Sequence, residues 1–347
     1  MNPAFTFAAP QASTRSEHPN PGPLDRPMKT TIVITEQCNL DCRLCYGRCK
    51  DAKPRSELSI DDWRRVVDDL ARSGVMWLYI EGGEPFLKEG FVDLLAENTP
   101  RMFTMVRTHG TLVDAALATR LKAIDVAIVL VDLWGATAGT HDALTGTPGS
   151  FERSVQGIRH LVAAGIDTQM LFILNRRNVH ELNAYAALAG SLGVSAIGIL
   201  RLYPLGRVKQ AWGELALSLD EMTAALAALQ APPGLRVMQS WHPRNANCCW
   251  QMSGINAFGD SIGCAYLREY VNFGNVLQAP FLDTWNHPLG RELRSGKVDR
   301  SCGSCAGTQG SHGGCRSTAY AFHGRFDAPD PFDLELNDGV DLTVLPR

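Results

Sequence analysis

Six apolar stretches of strand length alternate with helix signals along the chain, and this alternation limits the fold more than any other feature. The stretches are Thr31 to Thr35, Met76 to Ile80, Met102 to Arg107, Val126 to Val131, Gln169 to Leu174 and Ala196 to Arg201. Between them, Ser59 with Asp62 three residues on predicts a capped helix start, and Phe91 to Glu97 predicts a second helix. Phe151 to Ala164 reads as a helix ended by Gly165, and Asn178 with Glu181 as a further cap pair. Such alternation predicts an α/β fold of parallel βαβ units, whose right-handed crossovers curl the sheet into an open or closed barrel. Ligands in such folds sit at the C-terminal ends of the strands. Beyond about Leu205 the alternation stops. A helix near Leu219 to Leu229 then leads into a Cys-, Gly- and Trp-containing region from Trp241, which puts a boundary near Pro232. Residues Met1 to Pro27, rich in proline and without apolar period, read as a mobile tail.

Ten cysteines would suggest disulfides in a small secreted domain, but here they form two tight groups with a long cysteine-free stretch between. Clustering of this kind favours metal. Cys38, Cys42 and Cys45 give the spacing C-x3-C-x2-C on the loop after the first strand. Three thiolates can hold three irons of a [4Fe–4S] cluster and leave the fourth iron open, which is a catalytic feature. Zinc or coincidence is the other reading; at this cysteine frequency, chance gives the spacing roughly once in a hundred such chains. Cys49 lies outside the triplet and reads as an ordinary buried or surface thiol.

The loop Gly82-Gly83-Glu84-Pro85 follows the second strand, beside the first loop at the same end of a parallel sheet. Glycines there allow close backbone approach, and Glu84 offers a carboxylate to an ammonium group. Together the two motifs resemble the radical S-adenosylmethionine (SAM) superfamily, and the likeness runs from about Thr31 to Pro331. It implies a partial (β/α)6 TIM-like barrel in which the open iron chelates SAM and the glycine loop binds its amino group. Reductive cleavage of SAM to a 5′-deoxyadenosyl radical, which abstracts hydrogen from substrate, is the implied activity. Tyr46 stands where the family has an aromatic residue. By the same analogy His109 and Arg201 would touch SAM, against structural or ion-pair roles. Asp132, where relatives commonly have Ser, would bind the SAM ribose or act as a base, against a plain salt bridge.

Cys249-x9-Gly259-x4-Cys264 resembles the opening of the small C-terminal SPASM/twitch auxiliary-cluster domain, and Cys302-x2-Cys305 with Gly313-Gly314-Cys315 resembles its close. The full pattern needs further cysteines, yet Ser311 stands at one such position and none follows Cys315. The resemblance therefore implies a single auxiliary iron–sulfur cluster, with Cys249, Cys264 and Cys315 as ligands joined by Cys302, Cys305 or an open iron position. Oxygen ligation of a second cluster by Ser311 or Asp333 is the less favoured reading. Cys248 is left over as an alternate ligand, a spectator, or a catalytic hydrogen-atom donor. The expected organisation is a tail at 1–27, a barrel at 28–231, and an auxiliary-cluster domain with C-terminal tail at 232–347.

Net charge of −3 and the lack of a Lys/Arg block give no field for a phosphate backbone, so nucleic acid is not an expected partner. The longest apolar runs are strand-sized and no export signal opens the chain, so a cytoplasmic protein without membrane association is expected. The family implies an electron donor such as flavodoxin or ferredoxin. Its substrates include ribosomally made peptides, the first expectation here, and small molecules such as aminocyclitols or tetrapyrroles, oxidised or epimerised. Peptide maturases often carry a leader-binding module, which a separate partner protein would supply here. A non-catalytic electron carrier or zinc scaffold is a third reading, against which the open-site spacing and Glu84 argue.

Overall fold

A computed structural model describes residues 24–51, 55–239, 252–295, 314–333, 337 and 339–346. Its centre is one parallel sheet of eight strands. They are β1 Lys29–Val33, β2 Trp77–Glu81, β3 Phe103–Thr108, β4 Ile128–Asp132, β5 Thr168–Ile173, β6 Ala196–Leu200, β7 Arg236–Gln239 and β8 Met252–Ile255. They lie in the order β7-β6-β5-β4-β3-β2-β1-β8, every pair parallel, as an open partial barrel. The six expected strands are present within two residues of their predicted bounds, but two more extend the edges. β7 and β8 are only four residues long, and β8 carries Ser253, which hydrogen-bonds Thr30 at 2.8 Å. Strands so short and polar leave no apolar run to read.

Helices fill the crossovers: α1 Ile60–Arg72, α2 Phe91–Asn98, α3 Ala115–Ala123, α4 Ala138–Thr145, α5 Ser150–Ala163 and α6 Leu182–Leu192. After β6 come α7 Val208–Leu215 and α8 Leu219–Ala227, then α9 Phe281–Trp285, α10 Pro288–Arg294 and α11 Arg316–His323. The capping box predicted at Ser59 forms: Ser59 Oγ accepts from Asp62 N–H, and the Asp62 carboxylate accepts from Ser59 N–H. Behind it Trp63, Val66, Val67 and Leu70 make the buried face of α1.

The cap expected at Asn178 and Glu181 does not form. Residues Val179–Glu181 make a tight 3₁₀ turn, and α6 starts after it. Both side chains are used elsewhere: Asn178 Nδ2 donates to the carbonyls of Trp134 and Ile173, and Glu181 accepts from Ala136 N–H, Thr137 and Thr140 at the start of α4.

Strand alternation separates two cores. Ile80, Val106, Val129, Val131 and Phe172 face the helices within the main cluster. Met105, Leu130 and Leu171, backed by Trp77, Tyr79 and Leu200, fill the inner face. Two residues further along three of these strands, the inner positions become Glu81, Arg107 and Asp132, so an apolar floor gives way to a charged layer at the strand ends.

Buried His141 in α4 accepts the Trp134 N–H at Nδ1 (3.0 Å), and burial pushes its pKa down from 6.5 to about 4. A depressed imidazole favours the fold above pH 6.5 and loses that contribution as pH falls toward 4, by about 3 kcal/mol. Urea melts at several pH values should show wild type losing more stability over this window than His141→Gln. Parallel curves would refute the assignment.

Candidate active site

The loop leaving β1 carries Cys38, Cys42, Cys45 and Cys49, and all four line one cleft of ≈ 680 Å³, open mouth included. Tyr46, Glu81, Gly82, Gly83, Arg107, His109 and Asp132 complete its walls, at the C-terminal ends of β1 to β4.

Three clamps shape the cysteine loop, all largely backbone. The glycine loop after β2 lies against it: Gly83 N–H donates to Thr35 O (2.8 Å) and Glu84 N–H to Gln37 O (2.7 Å). A Cβ on Gly83 would stand 2.2 Å from the Gln37 carbonyl oxygen, so glycine is required here for loop-to-loop approach. The end of α4 supplies the second clamp, with Asp41 N–H on Thr145 O and Arg43 N–H on Leu144 O. The third comes after β6: Arg207 N–H donates to Cys45 O, and Gly206, at φ +57°, presses on the carbonyls of Cys45 and Tyr46.

The thiols differ in their surroundings. Burial pushes Cys38 up to about 11, whereas a hydrogen bond from the Cys49 thiol holds Cys45 down to about 6 against its burial. Cys49, expected to be a bystander, is thus part of the same cleft. Among the described residues no three His, Cys, Asp or Glu side chains converge on a single ion.

The carboxylates of the cleft are already engaged. Arg107 makes a two-pronged pair with Asp132 (2.8 and 2.9 Å) and lies 3.6 Å from Glu81. Glu81 also accepts from Tyr46 Oη (2.5 Å) and Arg268 (3.4 Å). Sulfur is what remains for a soft metal group, which fits a [4Fe–4S] cluster on Cys38, Cys42 and Cys45.

One sequence expectation changes here, and for Arg201 the ion-pair alternative is the one seen. The Glu84 carboxylate is fully buried and turns inward, accepting from Thr108 Oγ1, His109 N–H and Phe86 N–H. It anchors the glycine loop to the end of β3 instead of facing an ammonium group in the cleft. Arg201 is buried in an ion pair with Asp330 (2.8 Å), between the rings of Tyr203 and Phe332. Its partner lies too far along the chain for any local signal.

The His109 hydrogen bonds assign the proton to Nε2, because Nδ1 accepts from Thr111 N–H; Nε2 then reaches Glu84 (3.0 Å) and Asn39 (2.9 Å). Pro85 starts the short turn after Glu84. Cys264 and Cys315 are buried, while Cys248, Cys249, Cys302, Cys305 and Ser311 lie outside the described residues. Asp330 gathers Cys315 N–H, Thr318 Oγ1 and Phe332 N–H around its carboxylate. Glu81, Arg107, Asn39 and Arg268 were not singled out from sequence. Extending the inner-face period from Tyr79 and Met105 by two residues finds the first two, but nothing local marks the others.

Residues 32–189 match the family model of the radical SAM superfamily, and residues 248–306 that of an iron-sulfur cluster-binding domain. The mycofactocin maturase of Mycobacterium tuberculosis is 32% identical over 328 residues, 89% of this chain and 83% of that protein. An AdoMet-dependent heme synthase of Methanosarcina barkeri is 29% identical over 330 residues, 86% of this chain and 94% of that protein. Among solved structures, Streptococcus suis SuiB bound to S-adenosylmethionine superposes with a TM-score of 0.74 at 16% identity, over 90% of this chain and 78% of that one. No described helix is long and apolar enough to cross a membrane. A thiol-lined cleft at the ends of a parallel open barrel, and a relative 32% identical along most of both chains, lead to one assignment: the chain belongs to the radical SAM superfamily, enzymes that work with a [4Fe–4S] cluster and S-adenosylmethionine.

Proposed function

We propose that this enzyme abstracts hydrogen from a ribosomally made peptide during its maturation. The observation that carries the reading is one cleft lined by the triplet thiols Cys38, Cys42 and Cys45, whose carboxylates Glu81 and Asp132 are held by Arg107 and Arg268. Similarity to a mycofactocin maturase supports the peptide, and the match to an iron-sulfur cluster-binding domain supports auxiliary ligation by Cys249, Cys264, Cys302 and Cys305, which Cys315, beyond the matched residues, would join.

Cys38, Cys42 and Cys45 would hold the first cluster, and the backbone of Gly82 and Gly83 with Tyr46, Pro85, His109 and Asp132 would border SAM. Bound together, cluster and SAM supply a reductively generated 5′-deoxyadenosyl radical. The residues of the chain orient and shield: Glu84 keeps the glycine loop on β3, Arg107 keeps Asp132 turned along the charged layer, and the floor of Met105, Leu130 and Leu171 excludes water from below. Residues 28–231 would carry the catalytic unit and 232–347 the auxiliary one, with β7 and β8 of the latter completing the two edges of the barrel sheet. Cys248 as hydrogen donor, an electron donor of the flavodoxin or ferredoxin kind, and a separate leader-binding protein are part of the same proposal.

Anaerobic reconstitution followed by SAM and dithionite should release 5′-deoxyadenosine, and a precursor peptide encoded nearby should change mass in the same mixture. Iron-loaded protein that never cleaves SAM would remove the enzymatic reading. A small-molecule substrate is the second reading, favoured by the heme synthase likeness over 94% of that protein. Turnover of a tetrapyrrole with no peptide change would establish it.

A further inference from the structure

The short turn after Cys264 touches both cysteine regions. Ala265–Leu267 forms a 3₁₀ turn, and Arg268 Nε donates back to Ala265 O (2.9 Å), so the guanidinium moves with the turn. That guanidinium lies 4.7 Å from the centre of the Tyr46 ring and 3.4 Å from Glu81 Oε1. Gly47 leaves the space for it: a Cβ there would stand 2.9 Å from Arg268 Nη1. Next along, Glu269 accepts from Gly206 N–H (2.7 Å), and Gly206 is the residue pressed on the Cys45 and Tyr46 carbonyls.

The other side of the turn meets the C-terminal cysteines. Tyr266 O accepts from Ser317 Oγ (2.5 Å), two residues after Cys315, while its ring stacks on Tyr203 at 3.7 Å and lies 5.7 Å from Tyr46. Cys264 lies close over β8 because Gly254 carries no side chain: a Cβ there would stand 2.9 Å from the Cys264 Cα.

We propose that Arg268 is a positioning residue that couples the state of Cys264 to the shape of the first cysteine loop through Tyr46 and Glu81. The inference rests on the reading of Cys264 as an auxiliary-cluster ligand. A cluster pulling on Cys264 shifts the turn, and Arg268 carries the shift to the residue next to Cys45. Arg268 acts through these neighbours and touches no reacting atom.

The test uses the full chain as wild type, Arg268→Gln, Arg268→Lys, Cys264→Ala and the Cys264→Ala/Arg268→Gln double variant. In metal-free protein, Arg268→Gln should raise the amide hydrogen-exchange rate across residues 45–49 by about fivefold, with Arg268→Lys in between because it keeps a cation over the Tyr46 ring. An unchanged rate overturns the proposal. In reconstituted protein, each single variant should lower SAM cleavage about tenfold and the double variant no further, as expected of two residues on one route. A roughly hundredfold additive loss overturns it. The exchange arm needs no cluster, so it decides the Arg268 contact even if wild type fails to cleave SAM, a result that would instead remove the functional reading.

Discussion

Replacing Cys42 by alanine should lower 5′-deoxyadenosine formation at least ~1,000-fold and remove about four irons per chain, because two thiolates cannot retain a four-iron cube with an open corner. Cys42 is the middle ligand of the triplet and packs against the main core, while its loop is held by backbone contacts that do not involve its sulfur. The fold should survive, which circular dichroism can check. Cys49→Ala is the informative companion. It removes the thiol that hydrogen-bonds Cys45 but no ligand of the proposed set, so the iron complement should stay. Equal loss of iron in both variants would mean four protein thiolates, a coordinatively closed cluster and an electron carrier rather than a radical enzyme.

Asp330→Ala should be the most destabilising single change at the C-terminal end. The carboxylate is wholly buried; burial alone would raise its pKa, yet Arg201, Thr318, Cys315 N–H and Phe332 N–H hold it below the usual carboxylate range. Removing it leaves the Arg201 guanidinium buried without its counter-charge, which typically costs 3–5 kcal/mol. With about 5–15 kcal/mol of total stability available, the denaturation midpoint should fall sharply. The double variant Arg201→Met/Asp330→Leu should recover most of the loss, since two apolar side chains can replace a buried pair. A double variant as unstable as the single one would show that the Asp330 contacts to Cys315 and Thr318 matter more than the charge.

These two sites mark how far the sequence could be read. Six strands, the α1 cap and the triplet loop announce themselves within a few residues, through apolar period, capping chemistry and cysteine spacing. Two edge strands of four residues carry too little period to be seen, and one is partly polar. Glu84 shows where local reasoning misleads: a carboxylate after two glycines looks presented to a ligand, but Thr108 at the end of the neighbouring strand and His109 just after it turn it inward. Arg201 with Asp330, and Arg268 with Tyr46 and Glu81, join segments more than a hundred residues apart, and no window along the chain contains both members.

The three clamps on the cysteine loop bear on how the holoenzyme is assembled. Thr145, Gly83 and Arg207 reach that loop only after β2, the α4 turn and the end of β6 have taken their places. Gathering of the thiols is thus expected to require the finished barrel, with iron and sulfide entering a prefolded receptor; metal-free protein whose circular dichroism lacked the native fold would overturn this order. Delivery machinery would then need to recognise the native surface around the mouth, and a short peptide carrying the same three cysteines would bind iron without reproducing the site.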